Sequence, residues 1–416
     1  MGYKTMNTHS KSIAVIGAGI VGLSVSYYIA KSGYQVTLYD GNEPGSGTSR
    51  GHMNVIASYG LPAINQPDIW KNIPSYLFSK KSPVAVQWNY LPKMTSWLLQ
   101  FLKNCHVQGM EKTASQLSPL LSQALGNYQE LLQEIQGKEL LTHKGVLYTW
   151  IKNSNQPTSH QVRIREQFGI EQQKLSRDQI FELEPELSRE LQGAWFFPKA
   201  HHTINPDKIL KKIFQNFLHR QGEFIQKKIN SIAFQENKPF LDNRVFDRVV
   251  ICSGAFSKLL VDQLEKMSIP LEAERGYHVE YPGMQSLVSR PVSLADSGMY
   301  VTPLDYALRG GGTVELGGLH NKLTQARVDY IHSDAKRLLP KLQDYQNPWL
   351  GYRPTLPDCL PVIGPSSQHP QIYYAFGHNH LGWTLGPTTG KLIAAMINQK
   401  QPPIQELSIR RFQWLV

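Results

Sequence analysis

The sequence predicts an α/β fold, α+β overall, in which a Rossmann-like dinucleotide-binding domain is joined to a second, mostly antiparallel-sheet domain. Three observations predict it. Residues 12–40, SIAVIGAGIVGLSVSYYIAKSGYQVTLYD, spell a strand, a glycine turn, a helix and a second strand. Residues 275–318 read as short alternating strands interrupted by Gly and Pro. From Gly351 onward the chain returns to the opening pattern, with an apolar strand at Ile372–Phe376 running into a glycine-threonine loop and an apolar helix to Ile397.

The first strand, Ile13–Ile16, is apolar without alternation, as suits a strand covered on both faces of a parallel sheet. Gly17, Gly19 and Gly22 follow in G-x-G-x-x-G spacing. The first allows the sharp turn, the second leaves bare backbone for a pyrophosphate, and the third lets the next helix press onto the strand. That helix, from Gly19 to about Ser32, aims its N–H groups and positive dipole end at the phosphates. Gly33 ends it, Gln35–Tyr39 forms the second strand, and Asp40 stands eighteen residues after Gly22, where a carboxylate can accept ribose hydroxyls and repel a 2′-phosphate. Together these features point to an ADP-containing cofactor.

The chain has 416 residues, room for two substantial domains. Apolar content of 41% and charged content of 18% are those of a folded globular protein. No apolar run approaches the ~20 residues that cross a bilayer, and the first eleven residues, MGYKTMNTHSK, lack a signal-peptide core. A cytoplasmic location is therefore expected, if need be peripheral on the inner face of the membrane. Cys105, Cys252 and Cys359 are far apart and form no C-x-x-C pair, so neither a disulfide framework nor a metal site is expected. The net charge of +11 comes as scattered doublets, Lys80-Lys81, Lys211-Lys212, Lys227-Lys228 and Arg410-Arg411, which read as a generally basic surface.

Residues 41–54, GNEPGSGTSRGHMN, form a polar loop in which Ser46, Gly47, Thr48 and Ser49 can continue the phosphate cradle, with His52 and Asn54 near the ring the cofactor carries. Trp97, Leu98, Phe101 and Leu102 lie at helical spacing in a segment rich in aromatics and cations. Packing on its own domain is the expectation for that face, and contact with a membrane surface is the sharper alternative. A long helix is predicted from about Ser115 to Gln136, a strand at Gly145–Trp150, a helix with its turns through Glu190, and a strand at Gly193–Phe197. The adjacent pair His201-His202 cannot project to one face and reads as packing or substrate lining. Asn205 caps a helix that has Pro206 at its first position and runs to about Arg220. Strands fill 224–254 and end in VVICSGA, which brings naked backbone at Ser253-Gly254 to the dinucleotide. Gly310–Gly312 reads as a hairpin turn between strands; with no following helix it does not begin a second dinucleotide domain.

Taken together these motifs resemble the FAD-dependent D-amino-acid oxidase superfamily, from about Ser12 to Ile397, and within it the bacterial D-amino-acid dehydrogenases, including those acting on D-proline and hydroxyproline. Beside the glycine turn and Asp40, the likeness rests on Thr48-Ser49, Glu274-Arg-Gly-Tyr-His278, Tyr300-x-x-Pro303, Gly317-Gly318, Gly351-Tyr-Arg353-Pro354 and Gly377-His378-x-x-x-Gly382. The resemblance implies a discontinuous FAD-binding domain (1–85, 200–262 and 345–416) and a substrate-binding domain (86–199 and 263–344). It implies FAD held by Gly17, Gly19, Ile20, Val21, Gly22, Asp40, Gly41, Thr48, Ser49, Ile229, Ser253, Gly254, Gly351, Gly377, His378, Leu381, Gly382, Trp383 and Thr384. Arg353 is expected to clamp a substrate α-carboxylate and Tyr300 to hydrogen-bond it, with His52 and Tyr277 as further catalytic candidates. A planar guanidinium suits that task because it grips a carboxylate bidentately.

The sequence departs from the dehydrogenase pattern at His52, where asparagine is common. Related sarcosine oxidases hold FAD through a cysteine at the place of Gly351, so non-covalent FAD is expected here, with Cys359 a weak candidate for attachment. The implied reaction is hydride transfer from Cα–H of a neutral D-amino acid to flavin N5, giving an imino acid or 2-oxo acid. The electron acceptor would be a respiratory quinone or O₂. Three rivals remain: oxidation of glycine- or sarcosine-type secondary amines, oxidation of a tRNA side group, and a non-catalytic flavin-binding subunit. A continuous basic stripe, which the tRNA reading needs, is not visible, and no nucleic acid is expected.

Overall fold

The structure is a computed structural model and describes residues 11–78, 82–320 and 322–415. The opening MGYKTMNTHS and the doublet Lys80-Lys81 lie outside the described residues.

A six-stranded sheet carries the glycine turn. Its order is Glu223–Gln226, Gln35–Asp40, Ser12–Ile16, Arg248–Ile251, Ile372–Phe376 and Val362–Pro365. The first five are parallel and the last is antiparallel to its neighbour. Both faces are covered, which explains the unbroken apolar run of the first strand: Ile13 and Val15 enter one core, and Ala14 and Ile16 enter another. Helices Ile20–Lys31, Val107–Glu134, Pro206–His219 and Gly382–Ile397 contribute to the first core.

A nine-stranded sheet stands beside it. At its centre Glu272–Pro282 pairs antiparallel with Ala307–Leu316 on one side and Gln346–Thr355 on the other. Met299–Pro303 extends it beyond Ala307–Leu316. Tyr277, Val279 and Tyr281 pack with Val328, Ile331, Ala335 and Leu338 of helix Gln325–Leu338. The opposite register of Glu272–Pro282, with Glu274, Gly276 and His278, meets Arg353, Gly351 and Trp349 of the edge strand.

Several elements match their sequence expectation to within a residue: strands Ser12–Ile16, Gln35–Asp40, Gly193–Phe197 and Ile372–Phe376, and helix Pro206–His219 with Asn205 Oδ1 accepting from Lys208 N–H at 2.9 Å. Others differ. Gly310–Gly312 is no turn but the middle of strand Ala307–Leu316, where missing side chains let Met53 and His278 cross its surface; a Cβ on Gly311 would lie 2.6 Å from Met53 Sδ. The long helix starts at Val107, not near Ser115, because Met110, Thr113 and Ala114 extend its buried stripe towards the N-terminus past Gly109. The segment expected as one helix through Glu190 holds two, Ser159–Gln167 and Arg177–Leu183, with strand Gln173–Leu175 between them. Helix Gly382–Ile397 already includes the glycine-threonine segment expected as a loop.

Met94, Trp97 and Phe101 of helix Leu91–Asn104 are buried against Cys105, Leu316 and Cys359, so the apolar face of that helix packs inward. Among the described residues no helix is long and apolar enough to cross a membrane.

Candidate active site

A cavity of about 1100 Å³ is lined by residues of both sheets. It is slightly larger than the ~300–1000 Å³ of ordinary ligand pockets, as expected of a site that takes a dinucleotide and a small substrate together. One end is built from the glycine turn. A Cβ on Gly17, whose φ is +104°, would stand 2.6 Å from the carbonyl oxygen of Cys252, and one on Gly22 only 1.7 Å from the carbonyl oxygen of Gly17. Gly22 is therefore a packing residue between helix and turn and does not line the cavity, whereas Gly17, Gly19, Ile20 and Val21 do. The helix opens at Gly19 with no capping side chain there and no acid in its first turn, which leaves its positive end suited to an anion.

Asp40 accepts from Ala18 N–H at 2.8 Å and, through its other oxygen, from Asn42 N–H at 2.9 Å. Each oxygen keeps a further lone pair for a ribose hydroxyl. Gly41, Ile229, Ser253 and Gly254 line the same end, and so do Lys227 and Lys228, which the sequence had placed on a general basic surface. The loop hydroxyls are more committed than expected. Ser49 Oγ accepts from Ile20 N–H at 2.9 Å. Thr48 Oγ1 donates to Tyr352 O at 3.0 Å and accepts from Tyr352 N–H at 3.1 Å, tying the loop to the strand that carries Arg353.

His52 is stacked on Trp383, with centroids 5.8 Å apart. Its Nδ1 accepts from Asn54 N–H at 2.9 Å, so Nε2 carries the proton and faces His380 O at 3.4 Å. Burial first, then the cations Arg353 and Arg309, push its pKa down to about 3; the imidazole is neutral. Arg309 holds the loop from the other sheet by donating to Arg50 O and His52 O while meeting Glu280 at 2.7 Å. His378 also lines the cavity, with Nε2 at 2.9 Å from Thr389 Oγ1, and burial lowers its pKa to about 3.

Arg353 sits across from Glu274 in strand register, and its guanidinium crosses Gly276 to donate to Thr313 O at 2.8 Å and, more weakly, to Gly312 O at 3.4 Å. It lies deep in the protein, and the surface it leaves accessible belongs to the cavity wall. Burial lowers its pKa and the carboxylate of Glu274 opposes that shift. Glu274, itself held low by His380 and Arg353 despite its burial, lies 3.0 Å from His380 Nε2. Tyr300 lines the cavity from strand Met299–Pro303, paired with Gly311.

Beyond Tyr300 lie residues that sequence reasoning missed. Tyr148, Gln161 and Arg165 come from strand Val146–Trp150 and helix Ser159–Gln167, and Tyr59 and Gln66 from the segment after His52. No motif marks them. The one available signal was the capping box Thr158-x-x-Gln161, which starts the helix that carries Arg165.

Of the remaining expected site residues, Gly351, Leu381, Gly382 and Trp383 line the cavity, and Gly377 and Thr384 do not. Gly377 is a left-handed turn against Leu356, and Thr384 Oγ1 accepts from Ala57 N–H at 2.9 Å. Tyr277 touches the wall, but its ring packs on the helix side and its hydroxyl donates to Glu315. His202 is bonded to Thr142 and His201 stacks on His143; neither borders the cavity.

These residues fit FAD: a side-chain-free turn at a helix start, a carboxylate for the ribose, and the buried Nε1–H of Trp383, which has no acceptor among the described residues. The comparisons agree. The family model for FAD dependent oxidoreductase, DAO, matches residues 12–396. A D-amino-acid oxidase of Bradyrhizobium diazoefficiens is 30% identical over 417 residues, covering 97% of this chain and 99% of the relative. A D-amino acid dehydrogenase of Dechloromonas aromatica is 23% identical, covering 94% and 97%. Among solved structures, glycine oxidase from Geobacillus kaustophilus superposes with a TM-score of 0.74 at 20% identity, covering 97% of this chain and 99% of that one. The L-proline dehydrogenase from P. horikoshii gives 0.72 at 17%, covering 97% and 98%. The chain belongs to the DAO family of FAD dependent oxidoreductases, flavoenzymes that oxidise amines and amino acids.

Proposed function

We propose that this chain oxidises the Cα–N bond of a D-amino acid, D-proline and D-hydroxyproline among the candidates, to an imino acid that hydrolyses to the 2-oxo acid or persists as a cyclic imine. FAD, when bound, supplies the electron sink that takes the hydride from Cα. The observation that carries the reading is Arg353: a buried guanidinium braced by two backbone carbonyls on one side and open to the cavity on the other. It grips the α-carboxylate, and Tyr300 donates its hydroxyl to the same group, which fixes Cα in one orientation. Neutral His52 and Trp383 wall the site and cannot repel a cationic ammonium. The protein's share is positioning and charge complementarity.

The glycine turn, Asp40, Gly41, Ser253 and Gly254 would hold the dinucleotide, and the start of helix Gly382–Ile397 the ring end. The attachment is non-covalent in this reading. Burial pushes the Cys359 thiol well above its usual pKa, which keeps it protonated and a poor nucleophile.

The test is a panel of D- and L-amino acids with an artificial dye acceptor, run beside an oxygen electrode. Dye reduction with D-amino acids supports the proposal, and the oxygen trace separates oxidase from dehydrogenase behaviour. Turnover of L-amino acids alone overturns the stereochemical part; bleaching by no amino acid overturns the whole.

A further inference from the structure

Arg165 is a cavity-lining cation for which the proposed reaction has no use. It is 8% exposed, and its Nε donates to Leu61 O at 2.8 Å while the guanidinium lies 5.2 Å from the Phe197 ring centre. Nη1 reaches Gln172 Oε1 only at 3.5 Å, and Nη2 has no acceptor among the described residues. Of the other buried arginines, Arg275 and Arg309 each meet a carboxylate, at 3.1 and 2.7 Å, while Arg327 spends its Nη atoms on the carbonyls of Ser82 and Pro83 and stands away from the cavity. Arg165 meets no carboxylate among the described residues; its ionisable neighbours are the phenols of Tyr59, Tyr148 and Tyr300. A charge buried without a counter-charge is costly, so a site that keeps one on a cavity wall is built for an anion that arrives with the ligand.

The placement says which anion. Arg353 has its own surroundings, Glu274 and the carbonyls of Gly312 and Thr313, and Arg165 shares none of them. Tyr300 links the two ends. Its strand pairs with Gly310–Gly312 beside Arg353, and its phenol neighbours Tyr59 and Arg165.

We propose that Arg165, flanked by Tyr59 and Tyr148, is a second anion site that reads a side-chain carboxylate, making dicarboxylic D-amino acids such as D-glutamate the preferred substrates. This rests on the reading above, in which Arg353 holds the α-carboxylate. Arg165 binds substrate without touching the reacting carbon. It acts as a specificity residue, with the tyrosine hydroxyls supplying further donors to the same carboxylate.

The decisive comparison is a carboxylate against its isosteric amide. The native enzyme should show a kcat/KM for D-glutamate about tenfold to a hundredfold above that for D-glutamine, the range of one or two charge-assisted hydrogen bonds. In Arg165→Met that ratio should collapse towards one, and Arg165→Lys, which keeps the charge but not the fork, should fall between. Calorimetric titration of the flavin-loaded protein with glutarate and with its monoamide gives the same comparison without turnover. Equal kinetics for D-glutamate and D-glutamine in the native enzyme, with brisk turnover of neutral D-amino acids, would sink this inference and leave the oxidation reading intact. If no amino acid reduces the flavin, that reading fails, and the glutarate titration still decides the anion site: tighter binding of the diacid lost in Arg165→Met supports it, equal binding removes it. Because Arg165 also braces Leu61, melting curves accompany each variant, and the native-enzyme comparison stands whether or not they fold.

Discussion

A Cβ built on Gly276 would stand 2.5 Å from Cζ of Arg353. The guanidinium lies flat on a backbone position that no side chain can share, and it reaches the carbonyls of the next strand only because of that. Gly276→Ala should therefore push Arg353 aside while leaving the glycine turn untouched. The expected result is a KM for amino acids raised at least ~10-fold with flavin content unchanged. Unaltered KM would mean that Arg353 does not hold the substrate in this pose.

Replacing Arg353 by Lys keeps a positive charge but loses the planar fork. KM should rise by roughly 10- to 100-fold, the cost of one bidentate carboxylate contact. FAD stoichiometry, read from absorbance of the purified protein, should stay the same. Kinetics like those of the native enzyme would take Arg353 out of the substrate site.

Gly22→Ala tests the other end. The added carbon would lie 1.7 Å from Gly17 O, a backbone atom that cannot step aside without moving the turn. Overpacking of this severity costs ~3 kcal/mol or more. The variant should purify with little or no FAD and a lowered melting temperature. Full flavin occupancy would show that the helix does not press on the turn as described.

The buried histidines set an acid limit. Burial holds His52 and His378 at about 3 and His202 at about 4, against ~6.5 in an unfolded chain. Between those values the unfolded chain binds protons that the folded one does not, so stability is complete above pH ~6.5 and falls as pH drops towards 4. Melting temperatures should be level from about pH 7 to 8 and decline steadily below 6. The pH dependence of kcat/KM should show no limb near 6.5 from His52. A melting temperature at pH 4.5 equal to that at pH 7 would contradict the burial of these rings.

The opening unit was legible almost to the residue because strand, turn and helix each obey local rules: an apolar run, left-handed or side-chain-free positions, and a buried helix face. Asn205 and Pro206 were legible for the same reason, since a cap is a contact three residues long. What failed were features set by distant partners. Gly310–Gly312 has the composition of a turn, yet its glycines answer to Met53, His278 and Arg353, contributed by other strands and loops. The long helix was read as starting near Ser115 because the turns from Val107, which include Gly109, owe their helicity to tertiary packing and not to propensity.

The cavity divided in the same way. The cofactor end is made by turns whose residues are consecutive, so its glycines and Asp40 could be read directly. The opposite end gathers Tyr59, Tyr148, Arg165 and Tyr300 from four separate stretches of chain. Nothing in the run around Arg165 distinguishes it from a surface helix until the fold brings the tyrosines to it.

The order of the six-stranded sheet has a consequence for how the protein is made. Ser12–Ile16 pairs on one side with Gln35–Asp40, close to it in the sequence, but its other neighbour, Arg248–Ile251, follows more than two hundred residues later, and the strand that backs that neighbour, Ile372–Phe376, later still. Helix Gly382–Ile397, which packs on the first helix, comes near the end. A nascent chain therefore carries the glycine turn on a sheet that lacks its far side until those strands are made, and such long-range closure is slow. Assembly of the cleft around the glycine turn waits on strands and a helix that lie far along the sequence from it.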